Sequence, residues 1–422
     1  MKEKKNNKPN ETQNKSKKVK VIIPIILVLL IVLGIVTFAY TQNIQLAENN
    51  NEKREVEEMK DQAIILEDNK YMHVEEDASG DKVPVPNGFV GSKVEGENEI
   101  DTGYVIYSGE EEVNEGNVEE AQKTRNQYVW VPVPDISKFY GTDANGKKWG
   151  KIYEFTTGTS TDSTFDEETG TYANNWRETN GVMSISTGNY VYREPDVLPK
   201  YDRDYRLHTL GLGVETTHEF LMQMEKEFNK MVESVEKYGG FYIGRYETGD
   251  LNKEQAVVVK GKTNIASQTW YTMYKKCKEL EESNTVRTGM IWGNQWDRTL
   301  MWLIETGNKT KEQIAKDSTS WGNYSNATFE YTNSSGSTVT KNEGSSTRIP
   351  SGSSEYTKAN NIYDLAGNVY DWTMEANSSN SRDLRGGVCY NAGSGDPARG
   401  RGGNGPVYSG NHYGCRATLY IR

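Results

Sequence analysis

Apolar and polar positions divide the 422-residue chain into stretches of different rhythm. Val21 to Tyr40 is an apolar run without a single charge, and at about 1.5 Å rise per residue it is long enough to cross a hydrocarbon core of about 30 Å. It predicts one transmembrane helix over residues 21–40. Residues 41–80 are polar and acid-rich, and only Val56, Met59, Ala63 and Leu66 recur at three- and four-residue steps. That weak stripe reads equally as a helical stalk or a disordered spacer. From Val83 the rhythm changes to short β segments parted by Gly and acidic turns: Pro84 to Phe89, Thr102 to Tyr107 and Tyr128 to Val133. Asp135 to Val214 is rich in Gly, Thr, Asn and Asp with few apolar periods, and is expected as a loop-rich insertion.

The clearest helix follows. Thr216-Thr217-His218-Glu219 forms a capping-box pattern, Phe220, Met224, Phe228, Met231, Val232 and Val235 lay an apolar stripe at helical spacing, and Gly239-Gly240 ends it. Phe241 to Glu247 predicts a short strand, and two more helices are expected over Trp270 to Leu280 and Gly293 to Thr306. Trp270, Tyr274, Trp296, Leu300, Trp302 and Leu303 read as core, since aromatic stripes of this kind are far more often buried than cofactor-binding. The expected fold class is α+β, with an ectodomain over residues 81–422 behind a basic tail (1–20), the membrane helix and the stalk.

Charge gives the orientation. Eight Lys against two Glu precede the apolar run, which places the N-terminus in the cytoplasm and the rest outside. A cleaved signal peptide is the rival reading. The run is longer than a typical signal core, and Phe38 to Gln42 offers no small-x-small cleavage site, so an uncleaved anchor is favoured. Beyond residue 40 the chain carries 41 basic and 58 acidic side chains, a net charge near −17. Such a surface repels nucleic acid and anionic lipid, leaving the bilayer around residues 21–40 as the expected lipid contact. Three cysteines, Cys277, Cys389 and Cys415, are too few for a disulfide scaffold, and the sequence does not decide whether Cys389 pairs with Cys415.

The last sixty residues carry the strongest signal. Ile362 to Thr373 reads IYDLAGNVYDWT, Leu384-Arg385-Gly386-Gly387 follows, and Gly414 to Tyr420 reads GCRATLY. Between the second and third blocks, residues 388–413 contain no Lys, Glu, Gln, Met or Trp. Those are residues that replacing adenines in an asparagine codon does not yield, whereas Gly, Asp, His, Tyr, Cys, Val and Ser are reachable that way. On composition alone the tract reads as an ordinary surface loop. Its framing is more particular: Arg385-Gly386-Gly387, Gly393-Ser394, Pro397-Ala398, Arg401, Pro406, Ser409, Gly414, Arg416 and Leu419-Tyr420 alternate with short runs of the restricted set.

The three blocks resemble the C-terminal signature of formylglycine-generating-enzyme-like (sulfatase-modifying factor) domains, a branch of the C-type lectin fold. The tract resembles the variable region of proteins rewritten by diversity-generating retroelements. The resemblance implies a C-type-lectin-like fold and a ligand-binding face at Val388, Cys389, Tyr390, Asn391, Gly395, Asp396, Gly400, Gly402, Gly403, Asn404, Gly405, Tyr408, Gly410, Asn411, His412 and Tyr413. The implied partner is a protein or glycan outside the cell. Tyr offers a large contact area with two torsions to freeze, while Gly, Ser, Asn and Asp adapt their hydrogen bonds. The many Gly in this tract cut the contact area, so oligomers would add affinity through avidity; the oligomeric state itself is open. Arg401, at a framework position, is expected to pair with the acidic domain itself.

The same resemblance raises chemistry. Formylglycine-generating enzymes bind copper through two cysteines a few residues apart, just after the block matching Arg385-Gly386-Gly387. Here Cys389 stands alone until Cys415, so the pair is absent. His73, His208, His218 and His412 show no short-range pairing of an iron-binding kind, and P-loop, His-Glu-x-x-His and Gly-x-Ser-x-Gly motifs are lacking. A non-catalytic protein without a redox cofactor is expected. An oxidase acting on an extracellular substrate and a fixed structural envelope protein are the alternatives. The resemblance also implies a structural Ca²⁺ held by the carbonyls of Gly367 and Val369 and the carboxylate of Asp371, where the family usually has Glu. Without the ion, Asn368 and Asp371 cap a turn and Trp372 fills the core.

Overall fold

The computed structural model describes residues 64, 66–142, 148–150, 165–166, 171–172, 217–250, 255–281, 283–378 and 381–422. The apolar run 21–40, most of the expected stalk and most of the insertion lie outside these residues. Among the described residues no helix is long and apolar enough to cross a membrane.

The fold is α+β and dominated by sheet. β1 (Met72–Glu76) pairs antiparallel with β2 (Lys82–Pro86). Next come β3 (Phe89–Gly91), β4 (Val105–Ser108), helix α1 (Val118–Thr124) and β5 (Gln127–Pro132). Helix α2 (Thr217–Tyr238) leads into β6 (Gly240–Gly244), then α3 (Trp270–Lys278), β7 (Val286–Met290), α4 (Gly293–Glu305) and α5 (Lys311–Ala315). The C-terminal part holds β8 (Tyr370–Ser378), β9 (Ser381–Arg385), β10 (Gly402–Asn404), β11 (Tyr413–Cys415) and β12 (Ala417–Ile421).

Six strands form one sheet in the order β7-β12-β6-β5-β4-β3, all neighbours antiparallel. Every residue of β12 is buried, as its near-continuous apolar run requires of a strand with a neighbour on both edges. A second sheet, β10-β9-β8-β11, carries the tract, with β11 parallel to β8. Chain order therefore matters: the segment that leaves β9 must travel out and return on the far side of β8.

The stripe predicted for α2 is buried, with Met224, Phe228, Met231 and Val232 fully covered against β6 and β12. At roughly 1.5–3 kcal/mol for each large apolar side chain, this stripe is a main anchor of the sheet. Gly239 ends the helix at φ 81°, a left-handed conformation that glycine takes without strain. α3 starts on Thr269, whose Oγ1 accepts from the Thr272 amide. Trp270 stacks on Tyr274 at 5.5 Å, and its Nε1 donates to the Thr373 carbonyl on β8 at 2.8 Å, tying the helix to the second sheet. The predicted helices and the β6 strand fall within a few residues of the observed ones.

Two boundaries differ from expectation. β1 lies inside the stretch read as stalk, so folded structure begins before residue 81. Only Met72 of its five residues is fully covered, which is why no apolar rhythm marks it. The strand expected from Thr102 starts at Val105. The Arg245-Tyr246-Glu247 segment after β6 is structural: Arg245 pairs with Glu97 at 2.7 Å, both nearly fully buried.

Candidate ligand-binding face

The tract leaves β9 through Gly386 and Gly387, both at positive φ (88° and 79°). A Cβ on Gly387 would lie 2.3 Å from the Asp396 carbonyl oxygen, so no side chain fits there. Past that turn the tract is held by buried ties. Arg385 meets Asp297 at 2.6 Å and Glu375 at 3.2 Å, while Arg401 meets Glu375 at 2.8 Å and donates to the other oxygen of Asp297. All four side chains are at most 1% exposed. Burial pushes the Glu375 carboxyl up to about 8, with Arg401 and Arg385 pulling it down and Asp383 and Asp297 pushing it up. Arg401 thus pairs with the domain's own acids.

Ala398 and Pro406 of the framework are also interior, whereas Ser394 and Ser409 are exposed and Arg399, next to Ala398, is half-buried. Trp296 Nε1 donates to the Ala398 carbonyl at 3.2 Å, the Ala398 amide donates to Ser318 Oγ at 3.0 Å, and Arg399 Nε donates to the Ala315 carbonyl at 2.6 Å. On the return, the amides of Trp270 and Ser267 donate to the carbonyls of Pro406 and Gly410, each at 3.1 Å. Arg416 is fully buried and donates to the carbonyls of Gly244 and Tyr363.

Between these ties the side chains turn outward. Tyr390 is 42% exposed and Tyr408 49%, and Gly395, Gly403 and Asn411 are exposed as well. Asn391, Asp396, Gly402, Asn404, Gly405, Gly410, His412 and Tyr413 are half-buried. Three expected face positions are corrected: Val388, Cys389 and Gly400 are buried and present nothing to a ligand. Val388 and Cys389 follow Gly387 directly, before the chain has left the interior. Cys389 Sγ donates to the Ser346 carbonyl at 3.2 Å, and burial pushes its thiol up to about 11.

The outward groups form one connected surface. The Tyr390 ring meets His412 edge-on at 4.9 Å. Tyr370 OH donates to Asp396, and Asn391 Nδ2 reaches both, at 3.1 and 3.0 Å. Tyr413 packs against Tyr370 (5.7 Å), Tyr408 (5.0 Å) and buried Trp372 (5.4 Å), while Asn404 Nδ2 donates to its hydroxyl at 3.2 Å. Burial pushes the Asp396 carboxyl up despite the bonds from Tyr370 and Asn391. His412 is held below its ordinary value by burial and then by Arg348. Two members were missed from sequence. Tyr370 had a legible signal, because alternation along β8 puts it on the same side as Trp372. Arg348, which donates to the Asn411 carbonyl, had none.

Phenol rings with amide and imidazole neighbours can stack, donate and accept; the arrangement suits recognition across a broad area. Cavities of about 170, 550 and 460 Å³ among the described residues are lined by none of the tract residues: one lies beside Tyr274 and Trp292, one beside Ser234 and Tyr238, one beside Phe329 and Tyr356.

No family model and no curated protein matches the chain. Among solved structures it is similar to CarF, at 11% identity over 44% of this chain and 87% of that one, with a TM-score of 0.29. It is similar to Treponema denticola variable protein 1, at 15% identity over 43% and 85% (TM-score 0.29). PvdO from Pseudomonas aeruginosa aligns at 15% identity over 43% and 81% (TM-score 0.25). Likeness at these scores carries no argument about activity or partner.

The turn expected to hold Ca²⁺ is folded against the interior. The Gly367 amide donates to the Gly386 carbonyl at 2.8 Å, and the Val369 amide reaches Glu247 Oε1 at 3.4 Å. Asn368 Oδ1 accepts from Asn323 Nδ2 and from the Ile349 amide, so this side chain ties the turn, and Trp372 is fully buried. Asp371 Oδ2 lies 3.4 Å from Arg416 Nε, but neither of its carboxylate oxygens accepts a hydrogen bond. Burial pushes the Asp371 carboxyl up to about 6 against the pull of Arg416. A buried carboxylate is a fitting hard donor for Ca²⁺, whereas the Arg416 guanidinium paired with it competes for the same charge. Among the described residues no group of three or more His, Cys, Asp or Glu is arranged to hold a metal ion, so any such ion would lean on the main-chain carbonyls of Gly367 and Val369.

Proposed function

We propose that this chain is a single-pass, membrane-anchored receptor of the lectin-like, formylglycine-generating-enzyme-like kind, facing outward, whose residues 388–413 form a diversified ligand-binding face without catalysis. The observation that carries the reading is the division of labour within the tract. Framework side chains such as Arg401 and Ala398 are buried and tied, while Tyr390, Tyr408 and Asn411 stand exposed between them. Exposed positions such as Tyr390 and Tyr408, which make none of the buried ion pairs, tolerate rewriting. The anchor at residues 21–40 and the extracellular placement rest on the charge pattern of the chain alone.

The ligand is proposed to be a protein or glycan surface. Full-length protein in lipid nanodiscs, with this tract and with several randomised at Tyr390, Asn391, Asn404, Tyr408, Asn411, His412 and Tyr413, is screened on arrays of glycans and bacterial surface proteins. The reading expects ligand choice to change with the tract. Identical binding profiles for all tracts would overturn it. A structural Ca²⁺ at Gly367, Val369 and Asp371 belongs to the same proposal, and chelation with EDTA should then lower the melting temperature reversibly. An unchanged melting temperature would remove the ion.

A further inference from the structure

We propose that Cys277 and Cys415 form a disulfide that covalently clamps the end of the tract to helix α3. Their sulfurs lie 3.5 Å apart, and both side chains are fully buried. The sequence left open a pairing of Cys389 with Cys415; instead Cys389 Sγ contacts the Ser346 carbonyl and sits 3.8 Å from His412 Nδ1. A disulfide needs its sulfurs at about 2.05 Å, so closure asks the two sulfurs to approach by roughly 1.5 Å.

The position of the pair gives the bond a purpose. Cys415 ends β11, where it pairs with Trp372 of β8, and its carbonyl accepts from the Thr248 amide at 2.9 Å. Cys277 lies on the last turn of α3. The segment from Ser267 to Cys277 already touches the returning tract at two points, through the Ser267 amide to Gly410 and the Trp270 amide to Pro406. A Cys277–Cys415 bond adds a third point that does not depend on tract side chains. The frame would then stay closed while the residues between Pro406 and Tyr413 vary.

The chemistry is thiol–disulfide exchange. A thiolate of one cysteine attacks an external disulfide, such as oxidised glutathione or the disulfide of a thiol oxidoreductase, and expels one of its sulfurs as a thiolate. The second cysteine then attacks the mixed disulfide. Net, Cys277 and Cys415 each lose a proton and together lose two electrons, and the external disulfide becomes two thiols. The hydrogen bond with Cys277, and after it burial, hold the Cys415 thiol well above its ordinary range in the folded chain. Exchange therefore belongs to the folding chain, before β11 docks. The inference stands on the geometry of the two sulfurs and rests on the receptor reading only for the extracellular, oxidising setting in which a disulfide persists.

Full-length protein is unfolded, refolded in detergent with a reduced–oxidised glutathione pair, quenched with iodoacetamide in denaturant and mapped by non-reducing peptide mass spectrometry. The expected result is a peptide linking Cys277 to Cys415, with Cys389 alkylated. Reduction in denaturant followed by refolding in reductant should lower the melting temperature by roughly 5–10 °C, because the bond closes a loop of well over a hundred residues. Cys389→Ser should keep the link and the shift, while Cys277→Ser should abolish both. A Cys389–Cys415 link, or three alkylated cysteines in natively folded protein under oxidising conditions, would overturn the proposal. Tract-dependent ligand binding, measured in parallel on the oxidised form, reports on the receptor reading separately.

Discussion

Replacing Arg401 by Ala probes whether the tract is anchored through the interior. In the folded protein Arg401 contacts Glu375 at 2.8 Å and also donates to Asp297, with no solvent at any of the side chains. Removing it takes one of two guanidinium groups from a pair of buried carboxylates and leaves them that of Arg385. Breaking a buried ion pair from one side costs about 3–5 kcal/mol, because the remaining charges lose a partner that water does not replace in the interior. For a domain of this size that corresponds to a fall of roughly 6–10 °C in melting temperature. The loss should also depend on pH. Without Arg401 the folded-state carboxyl of Glu375 moves further above its ordinary 4.5, so the neutral form is favoured in the fold. A carboxyl raised by folding stabilises below its unfolded value, and that stability is lost as pH rises through the folded value. Arg401→Ala should therefore suffer more at pH 8 than at pH 5, measured by urea unfolding followed through Trp fluorescence. Arg401→Lys, which keeps the charge but not the two-pronged geometry, should fall between. A loss below about 1 kcal/mol at pH 8, or one that grows on acidification, would refute the interior anchor.

Other consequences are more local. Tyr390→Ala and Tyr408→Ser should change stability by less than about 1 kcal/mol in thermal unfolding, since both rings are exposed, while reducing capture of any ligand found for this tract. Gly387→Ala should cost several kcal/mol or abolish soluble expression, because φ is 79° and the new Cβ meets the Asp396 carbonyl at 2.3 Å. Wild-type stability should decline between pH 5 and pH 8: Asp371 is raised to about 6 and Glu375 to about 8, and both favour the protonated fold. Below about pH 4.5 it should decline again, as Glu97 and Glu355, held below their ordinary values beside Arg245 and Lys358, take up protons.

Much of the fold was legible because period and burial coincide. The α2 stripe, the Gly239 stop, and the aromatic cores of α3 and α4 all follow from residue type and spacing. β1 escaped because a strand with one covered residue leaves no rhythm. Within the tract, composition marked the right segment but not the facing of each position. Val388, Cys389 and Gly400 belong to the restricted set yet lie inside, because the Gly386-Gly387 turn and the Arg385–Arg401 square decide where the chain surfaces. Those contacts join residues as far apart as Asp297 and Arg401, a separation at which a single sequence gives no pairing signal. The nearness of Cys277 to Cys415 is of the same kind.

The most direct test is sequencing of the DNA encoding residues 350–422 across many cells of one population and its sister isolates. Substitutions should concentrate at Tyr390, Asn391, Asp396, Asn404, Tyr408, Asn411, His412 and Tyr413, with Arg385, Gly387, Pro397, Arg401, Pro406 and Gly414 unchanged. Changes that fall on Arg401 and Gly387 as often as on Tyr390 and Tyr408, or a tract identical in every isolate, would contradict a diversified face on a fixed frame.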